Sequence, residues 1–460
     1  MGNNGGDIMP DTIAAIATGA QISAIGILRI SGAEAISIVN RLFIPRSGSP
    51  MCDRQDRQLV FGTLHDTDGS VLDLCLCTVS RAPNSYTGED TAELQCHGSP
   101  VVLRAALKAA FALGARQAQP GEFTKRAFLN GRMDLTSAEA VADIIDAETA
   151  EAAKNAAGQL SGAIAGKTER IYAVLTDIST HYHAVLDYPD EDIEDFTLAA
   201  YELDIAESAD TLRRLLISFD SGRVIQGGIP AAIIGVPNAG KSSLYNALLG
   251  YDRAIVTKIP GTTRDTIEEK LRLGSVLLRL TDTAGIRETP DEVERLGVER
   301  SRRAMENAEL VIAVIDGSRP VTSEDLEMLR AAEDAPHGIA VLSKSDLGRA
   351  EKMPETGLET VVVSSVTGEG LDELEQAVGR QFPLPEAPAG EILTNARQAD
   401  AVRRALAALN SALEAMHSGC TPDIVLTETE AAMSAIGELN GKNLREDITN
   451  RIFERFCVGK

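Results

Sequence analysis

The stretch Ala231-Ala-Ile-Ile-Gly235-Val-Pro-Asn238-Ala239-Gly240-Lys241-Ser242-Ser243, continued by Leu244–Leu249, reads as a strand, a glycine-rich loop and a helix in direct succession. From Gly235 to Ser242 the spacing is GxxxxGK[ST]. Between a strand and a helix, that spacing turns backbone N–H groups and a helix N-terminus toward one phosphate chain. Lys241 is then expected to reach the outer phosphates, and the Ser242 hydroxyl to bind Mg²⁺. A chance glycine-rich turn would have neither the apolar strand before it nor the helical run after it.

Outward from this loop, strand-like segments alternate with helical ones: Val276–Thr281, Leu310–Ile315, Ile339–Ser343 and Thr360–Ser364. That alternation predicts a parallel sheet with crossover helices. The block begins after the break Gly227-Gly228-Ile229-Pro230 and ends near the Pro-rich stretch Phe382–Pro388. Upstream, residues 1–130 alternate strand-like runs (Ile25–Ile30, Val71–Val79, Glu93–Cys96) with turn signals, as in an α+β domain. From Met133 the chain turns Ala-rich and helical. Thr136-x-x-Glu139 is a candidate capping box, and helical stretches run over Ile171–Leu186 and Leu198–Phe219, around an acidic loop Asp187–Asp195. After residue 383, Ala401, Leu406, Leu409, Leu413 and Met416 recur at helical spacing. The expected architecture is multidomain. An α+β domain spans 1–130, and an all-α domain is split between 131–225 and 384–460. An α/β P-loop domain is inserted at 226–383.

Bulk properties narrow the function classes. The chain has 460 residues, enough for several cores, and a formal net charge of −24. Such a chain repels phosphate backbones at long range, so a sequence-reading DNA binder is disfavoured and any nucleic-acid contact needs a local basic patch or a basic partner. Cys52, Cys75, Cys77, Cys96, Cys420 and Cys457 show no paired CxxC spacing, which favours reduced thiols in a cytoplasm over disulfides or a zinc site. No signal peptide or membrane span is expected, because the run Ile13–Ile30 is interrupted by Gly, Thr, Gln, Ser and Arg.

Further motifs choose the nucleotide. Asp282-Thr283-Ala284-Gly285 follows a strand, where Asp282 can help hold Mg²⁺ through water, and Thr262-Thr263 supplies hydroxyls in a switch-like segment. The order resembles the translation-factor-related GTPases. Ser343-Lys344-Ser-Asp346 resembles their guanine-reading motif, with Ser343 in place of Asn, and Ser364-Ser365-Val366 stands where they carry Ser-Ala-Lys. The Ser343 exchange is expected to remove an amide tie at a cost of about 1 kcal/mol in affinity. The position that often holds a water-orienting Gln is Ile286, which cannot hydrogen-bond water. Glu294 is a candidate substitute, although Asp291, Glu292 and Glu294 also read as a solvated helix start.

Taken with these motifs, the segments Gly26–Gly32, Tyr86–Asp90, Pro120–Asn130, Asp282–Gly297 and Phe456-Cys457-Val-Gly-Lys460 make the chain resemble, over nearly its whole length, the tRNA modification GTPase family MnmE, also called TrmE. The resemblance implies a GTPase working with the FAD-dependent partner MnmG on the wobble uridine of certain tRNAs, using a tetrahydrofolate one-carbon unit. It implies folate contacts from Arg29, Glu93, Arg132 and Lys460, and a role for Cys457 in modification. From the residues alone, Cys457 reads as a buried structural thiol beside Phe456 and Val458. The resemblance also implies a K⁺ ion held by Asn238, Thr257, Ile259 and Thr262, Glu294 as the water-orienting group, a homodimer made by the N-terminal domain, and a heterotetramer with the partner. GTP contacts follow from Asn238, Ala239, Gly240, Lys241, Ser242, Ser243, Thr257, Thr262, Thr263, Asp282 to Gly285, Ser343, Lys344, Asp346, Ser364, Ser365 and Val366. A ribosome-assembly GTPase is the competing reading. It is disfavoured because the folate-type segments and the cysteine-bearing tail flank the P-loop domain.

Overall fold

Seven strands near the N-terminus form one sheet in the order β3-β4-β5-β6-β2-β1-β7. They are β1 (Ile13–Ile16), β2 (Ser23–Ser31), β3 (Phe43–Pro45), β4 (Val60–His65), β5 (Val71–Ser80), β6 (Thr91–Gly98) and β7 (Arg116–Gln117). All neighbours are antiparallel except β1 and β7. The computed structural model describes the protein except residues 1–10, 20, 188–197, 251–268, 281–307, 349–355, 384–386, 443–445, 455 and 460. Most of the acidic loop Asp187–Asp195 therefore lies outside the described residues, as do Thr257, Ile259, Thr262, Thr263, Asp282 to Gly285, Ile286, Glu294 and Lys460.

The sheet has a dry face and an open face because its strands alternate. Ala92, Leu94 and Cys96 of β6 point into a core with Leu28 and Ile30 of β2. Helices Ala35–Leu42 and Pro100–Ala112 close that core with Ile38, Val39, Leu42, Leu103 and Ala106. Gly26 lets the second helix approach, since a Cβ there would lie 2.4 Å from Leu103 Cδ1. Glu93, Gln95 and Arg29 occupy the alternate positions, away from the core.

The chain divides into two compact units, Met1–Ile145 with Gln159–Ile205 and Ala407–Lys460, and Asp146–Gly158 with Ala206–Leu406. In the first, helix Ala163–Asp187 packs along helix Pro422–Asn440. A buried hydrogen bond from Thr168 Oγ1 to Asn440 Oδ1, 2.9 Å long, fixes their register. Helix Leu135–Asp146 is capped differently from expectation. Asp134, not Thr136, accepts from the N–H of Ser137 at 3.0 Å, and the Thr136 and Ser137 hydroxyls donate to the same carboxylate. Thr136 is fully buried in the first turn, so its side chain cannot sit outside the helix as a cap must. Helix Ala396–His417 confirms the expected period but shifts its phase. The buried stripe is Ala401, Val402, Ala405, Ala408, Leu409, Ala412 and Ala415, while Leu406, Leu413 and Met416 are half-buried. Small side chains let neighbours approach closely, which a search for large apolar residues does not detect.

The second unit holds the α/β block. Its sheet runs β13-β12-β11-β8-β10-β9, with β8 (Ile229–Ile234), β9 (Glu269–Leu273), β10 (Val276–Leu280), β11 (Leu310–Asp316), β12 (His337–Ser343) and β13 (Glu359–Val362). All pairs are parallel except the β9–β10 hairpin. The edge strand β9 is absent from the strands expected above: Glu-Lys-Leu-Arg-Leu is too short and too charged to stand out. All seven residues of β11 are buried, because helices cover both sheet faces. Helices Lys241–Gly250 and Leu371–Gln381 cover one face, around Leu244, Tyr245, Leu374 and Val378. Helix Ser323–Glu333 covers the other with Leu329 and Ala332. That helix begins in a Thr322–Asp325 capping box, reinforced by an Arg319–Asp325 ion pair of 2.8 Å.

Candidate functional site

The phosphate loop sits where β8 ends and helix Lys241–Gly250 begins, at the carboxyl edge of the sheet. Its shape is fixed by steric demands at three positions. A Cβ on Gly235 would lie 2.4 Å from the Val314 carbonyl oxygen, and one on Gly240 would lie 3.1 Å from Ser343 Oγ. Asn238 takes a left-handed conformation, φ 62°, a geometry Asn tolerates better than most residues. Lys241 Nζ donates to the carbonyls of Gly235 and Val236, both at 2.9 Å, so its ammonium lies across the loop it serves. Ala239 is buried while Asn238 and Ser243 are exposed. The loop therefore turns outward at Asn238.

Residues 343–346 and 364–366, expected to read the base, lie beside this loop. Ser343 closes β12, and its hydroxyl lies 2.5 Å from the Ala239 carbonyl and 3.1 Å from that of Ile315. A hydroxyl carries one proton and can satisfy only one of them at a time. Through these contacts the Ser343 hydroxyl ties its segment to the P-loop. The shorter side chain keeps the tie because Gly240 lets the P-loop approach it. Lys344, at φ 60°, turns its ammonium onto Asp316 at 2.7 Å. Burial by itself raises the Asp316 carboxyl, but the bonds from Lys344 and Ser318 outweigh it and hold it below the usual carboxylate range. Asp346 accepts from the buried Ser364 hydroxyl at 2.7 Å, and Ser364 Oγ accepts in turn from the N–H groups of Val366 and Thr367. Ser364 so orients the carboxylate that would meet a guanine edge. Val366, 83% exposed, gives that rim an apolar side chain, and Ser365 lies between them.

Ser343→Ala is expected to weaken GTP affinity about fivefold, one hydrogen bond of about 1 kcal/mol, with the hydrolysis rate of bound GTP unchanged. Equilibrium titration with a fluorescent guanine nucleotide, beside single-turnover hydrolysis, checks both halves.

A second constellation lies on the open face of the N-terminal sheet. Arg29 and Glu93 are direct cross-strand partners on β2 and β6, joined by a 2.7 Å ion pair. The Arg29 guanidinium lies 5.5 Å from the Tyr86 ring centroid and 5.7 Å from that of Phe123. Arg132 adjoins the same Tyr86–Gly88 loop, for a Cβ on Gly88 would lie 3.3 Å from its Cγ. The C-terminal tail reaches this neighbourhood. Gly121 N–H donates to the Cys457 carbonyl at 3.3 Å, and Val458 bridges Pro120. Phe456 packs beside Gly121 and Phe453, while Cys457 itself is exposed. The buried-thiol reading of Cys457 is therefore wrong, because its neighbour Phe456 takes the buried position instead. Tyr86 and Phe123 were visible only as parts of longer motifs. Their meeting around Arg29 has no signal in local spacing.

Under this site lies a buried charge cluster. Arg126 donates to Glu122 at 3.0 Å, to Glu89 at 3.1 Å and to Asp11 at 2.9 Å, and Arg116 also pairs with Glu122. Arg126 and Glu122 are each 3% exposed. Burial alone would raise the Glu122 carboxyl, but bonds from Arg116, Gln119 N–H and Arg126 hold it below its ordinary value. The hydrogen bond from Arg116 does the same for Asp11.

Comparison with known proteins identifies the family to which this chain belongs. Residues 12–132 match the family described as GTP-binding protein TrmE N-terminus, and residues 135–457 match the MnmE helical domain. The chain is 42% identical over 455 residues to a protein of Symbiobacterium thermophilum named tRNA modification GTPase MnmE, covering 98% of this chain and 99% of that one. It is 44% identical over 465 residues to a protein of that name in Roseiflexus sp., and 38% identical over 458 residues to one in Clostridioides difficile, with the same coverage. With a family match over more than half its length and relatives of this identity along almost all of it, the chain belongs to the MnmE family of tRNA modification GTPases.

Proposed function

We propose that this protein hydrolyses GTP and couples that hydrolysis to modification of the wobble uridine of certain tRNAs. An aminomethyl or carboxymethylaminomethyl group would be built at the 5-position, with an FAD-dependent MnmG-like partner and a tetrahydrofolate one-carbon unit. The observation that carries this reading is the coexistence, in a chain of this family, of a complete P-loop with its base-reading rim and the Arg29–Glu93 pair beside the Cys457 tail. A switch that only timed release from a ribosome would have no use for the second.

In the nucleotide site, Lys241 and the helix N-terminus hold phosphates, Asp346 reads guanine, and Ser242 and Thr263 take Mg²⁺. Asn238, Thr257, Ile259 and Thr262 take K⁺, which would neutralise developing charge when two such domains meet. Glu294 orients the attacking water. On the folate side, the rings of Tyr86 and Phe123 with Arg29 suit a flat, polar heterocycle. Glu93 would accept from its N–H edge, and Arg132 and Lys460 would meet its carboxylates. The corresponding domains are residues 1–130 for folate binding and dimerisation, 131–225 with 384–460 as the helical body, and 226–383 for GTP. The working assembly is a homodimer joined by the partner in a heterotetramer, in the cytoplasm. Among the described residues, no helix is long and apolar enough to cross a membrane.

Mass spectrometry of tRNA nucleosides from cells with and without the gene tests the whole reading: the modified wobble uridine should vanish on deletion. An unchanged profile would leave a GTPase with another task. Two variants then separate the sites. Glu294→Ala should bind GTP normally and hydrolyse it about a hundredfold more slowly, and unchanged turnover would remove its water-orienting role. Cys457→Ser should keep GTP turnover and lose tRNA modification, whereas retained modification would refute a chemical role for the thiol.

A further inference from the structure

A chain of net charge −24 meets a tRNA through a local cationic surface or through a basic partner, and the free edge of the N-terminal sheet offers the first. Several cations elsewhere among the described residues are paired with carboxylates: Arg116 and Arg126 with Glu122, Arg213 and Arg214 with Asp210, Arg403 and Arg404 with Asp400, Lys442 with Glu169. Around β3 and β4 the pattern changes. The Arg46 guanidinium lies 6.0 Å over the Phe61 ring. Arg54 donates to the Ser47 hydroxyl and the Ser49 carbonyl, and Arg57 to the Asn84 carbonyl. Among the described residues, none of these three has a carboxylate within ion-pair distance. Their charge is held by neutral oxygens and an aromatic face, and stays available to an anion.

Arg46, Ser47, Arg54, Gln58, Leu59 and Phe61 line a groove of about 390 Å³. Phe61 is 42% exposed and Leu59 50%, so stacking surface lies beside cationic surface. Register places this groove relative to the Arg29–Glu93 pair. Phe61 is opposite Leu76, Leu76 opposite Gln95, and Gln95 opposite Ile27, one cross-strand row on the open face. Arg29 and Glu93 occupy the adjacent row of that face, and β4 lies three strands from β2, roughly 14 Å.

We propose that this groove binds a single-stranded loop of the substrate tRNA. Arg46 and Arg54 meet its phosphodiesters, and one unstacked base stacks on Phe61. Exposed aromatics between arginines are the surface that unpaired RNA recognises, by stacking and by phosphate contact. The separation then leaves neighbouring nucleotides within reach of the Arg29–Glu93 site. The inference rests on tRNA being the substrate.

The test is fluorescence anisotropy of a labelled anticodon stem-loop RNA across a salt series, with the full-length protein. Phe61→Ala should weaken binding about tenfold. Arg46→Gln with Arg54→Gln should reduce the slope of log affinity against log salt by about 1.5, the share of two phosphate contacts. GTP turnover and sedimentation mass should not change. Arg54 also ties Ser47 and Ser49, so Arg46→Gln alone, which removes no hydrogen bond to the fold, must show half the slope change. Wild-type protein that does not bind the RNA, or variants that bind it with unaltered affinity and slope, would overturn the proposal. So would a drop in sedimentation mass, which would assign the groove to a second copy of the chain. Loss of the modified uridine on gene deletion, together with unaltered RNA binding by the variants, would sink this inference and leave the modification role standing.

Discussion

Lys241→Ala is expected to lower GTP turnover about a thousandfold, the upper end of what removing one preorganised charge-stabilising donor costs. The side chain has two tasks. Its ammonium bonds the Gly235 and Val236 carbonyls and so ties the loop to itself. In the proposed nucleotide complex, it is the cation that would leave those carbonyls for the outer phosphates. Alanine removes both, and no other lysine lies in the loop from Gly235 to Gly240 to replace it. Phosphate release at saturating GTP measures the loss. Far-ultraviolet dichroism should be unchanged, because Lys241 contributes little to the core that Leu244, Tyr245 and Leu248 build on the same helix. Turnover within tenfold of wild type would mean that the loop's backbone N–H groups carry the charge stabilisation alone.

Arg126→Met should destabilise the N-terminal unit by about 3–5 kcal/mol, the cost of leaving a buried charge without its partner. Arg126 and Glu122 are both almost fully buried, and the guanidinium also holds Glu89 and Asp11. Methionine fills a similar volume, so most of the loss comes from the abandoned carboxylates rather than from a cavity. Arg126→Met combined with Glu122→Met should recover part of it, because an apolar pair no longer buries charge. Urea unfolding of the three proteins measures these differences, and a loss below about 1 kcal/mol would reduce the cluster to a solvated surface pair. The cluster also predicts the direction of acid sensitivity. Glu122 and Asp11 are held below their ordinary values, so folding gains stability from their ionisation that is present above about pH 5. It is lost as pH falls through the depressed folded values. In Arg126→Met that acid dependence should shrink. Because Glu122 adjoins Gly121, whose N–H holds the Cys457 carbonyl, the same variant should loosen the C-terminal tail before the whole unit unfolds.

What the sequence by itself determined about this protein is contiguous. The P-loop and the alternation that makes a parallel sheet follow from spacings within a few residues of one another. Backbone conformation answers to near neighbours, so a GxxxxGK[ST] run between a strand and a helix can adopt few shapes. The motif order also sufficed for family membership. Tertiary structure decided the rest. Asp134 rather than Thr136 caps its helix because packing buried Thr136. The buried stripe of helix Ala396–His417 passes through its alanines because close approach, not side-chain size, selected the face. Ser343 keeps the tie to Ala239 only because Gly240 brings the P-loop within hydrogen-bond reach. Arg29, Tyr86, Phe123 and Cys457 converge from four distant parts of the chain, and Arg46, Arg54 and Phe61 meet on one sheet edge. Such encounters depend on strand order and register, which are set by the global burial of apolar surface. No local spacing encodes them.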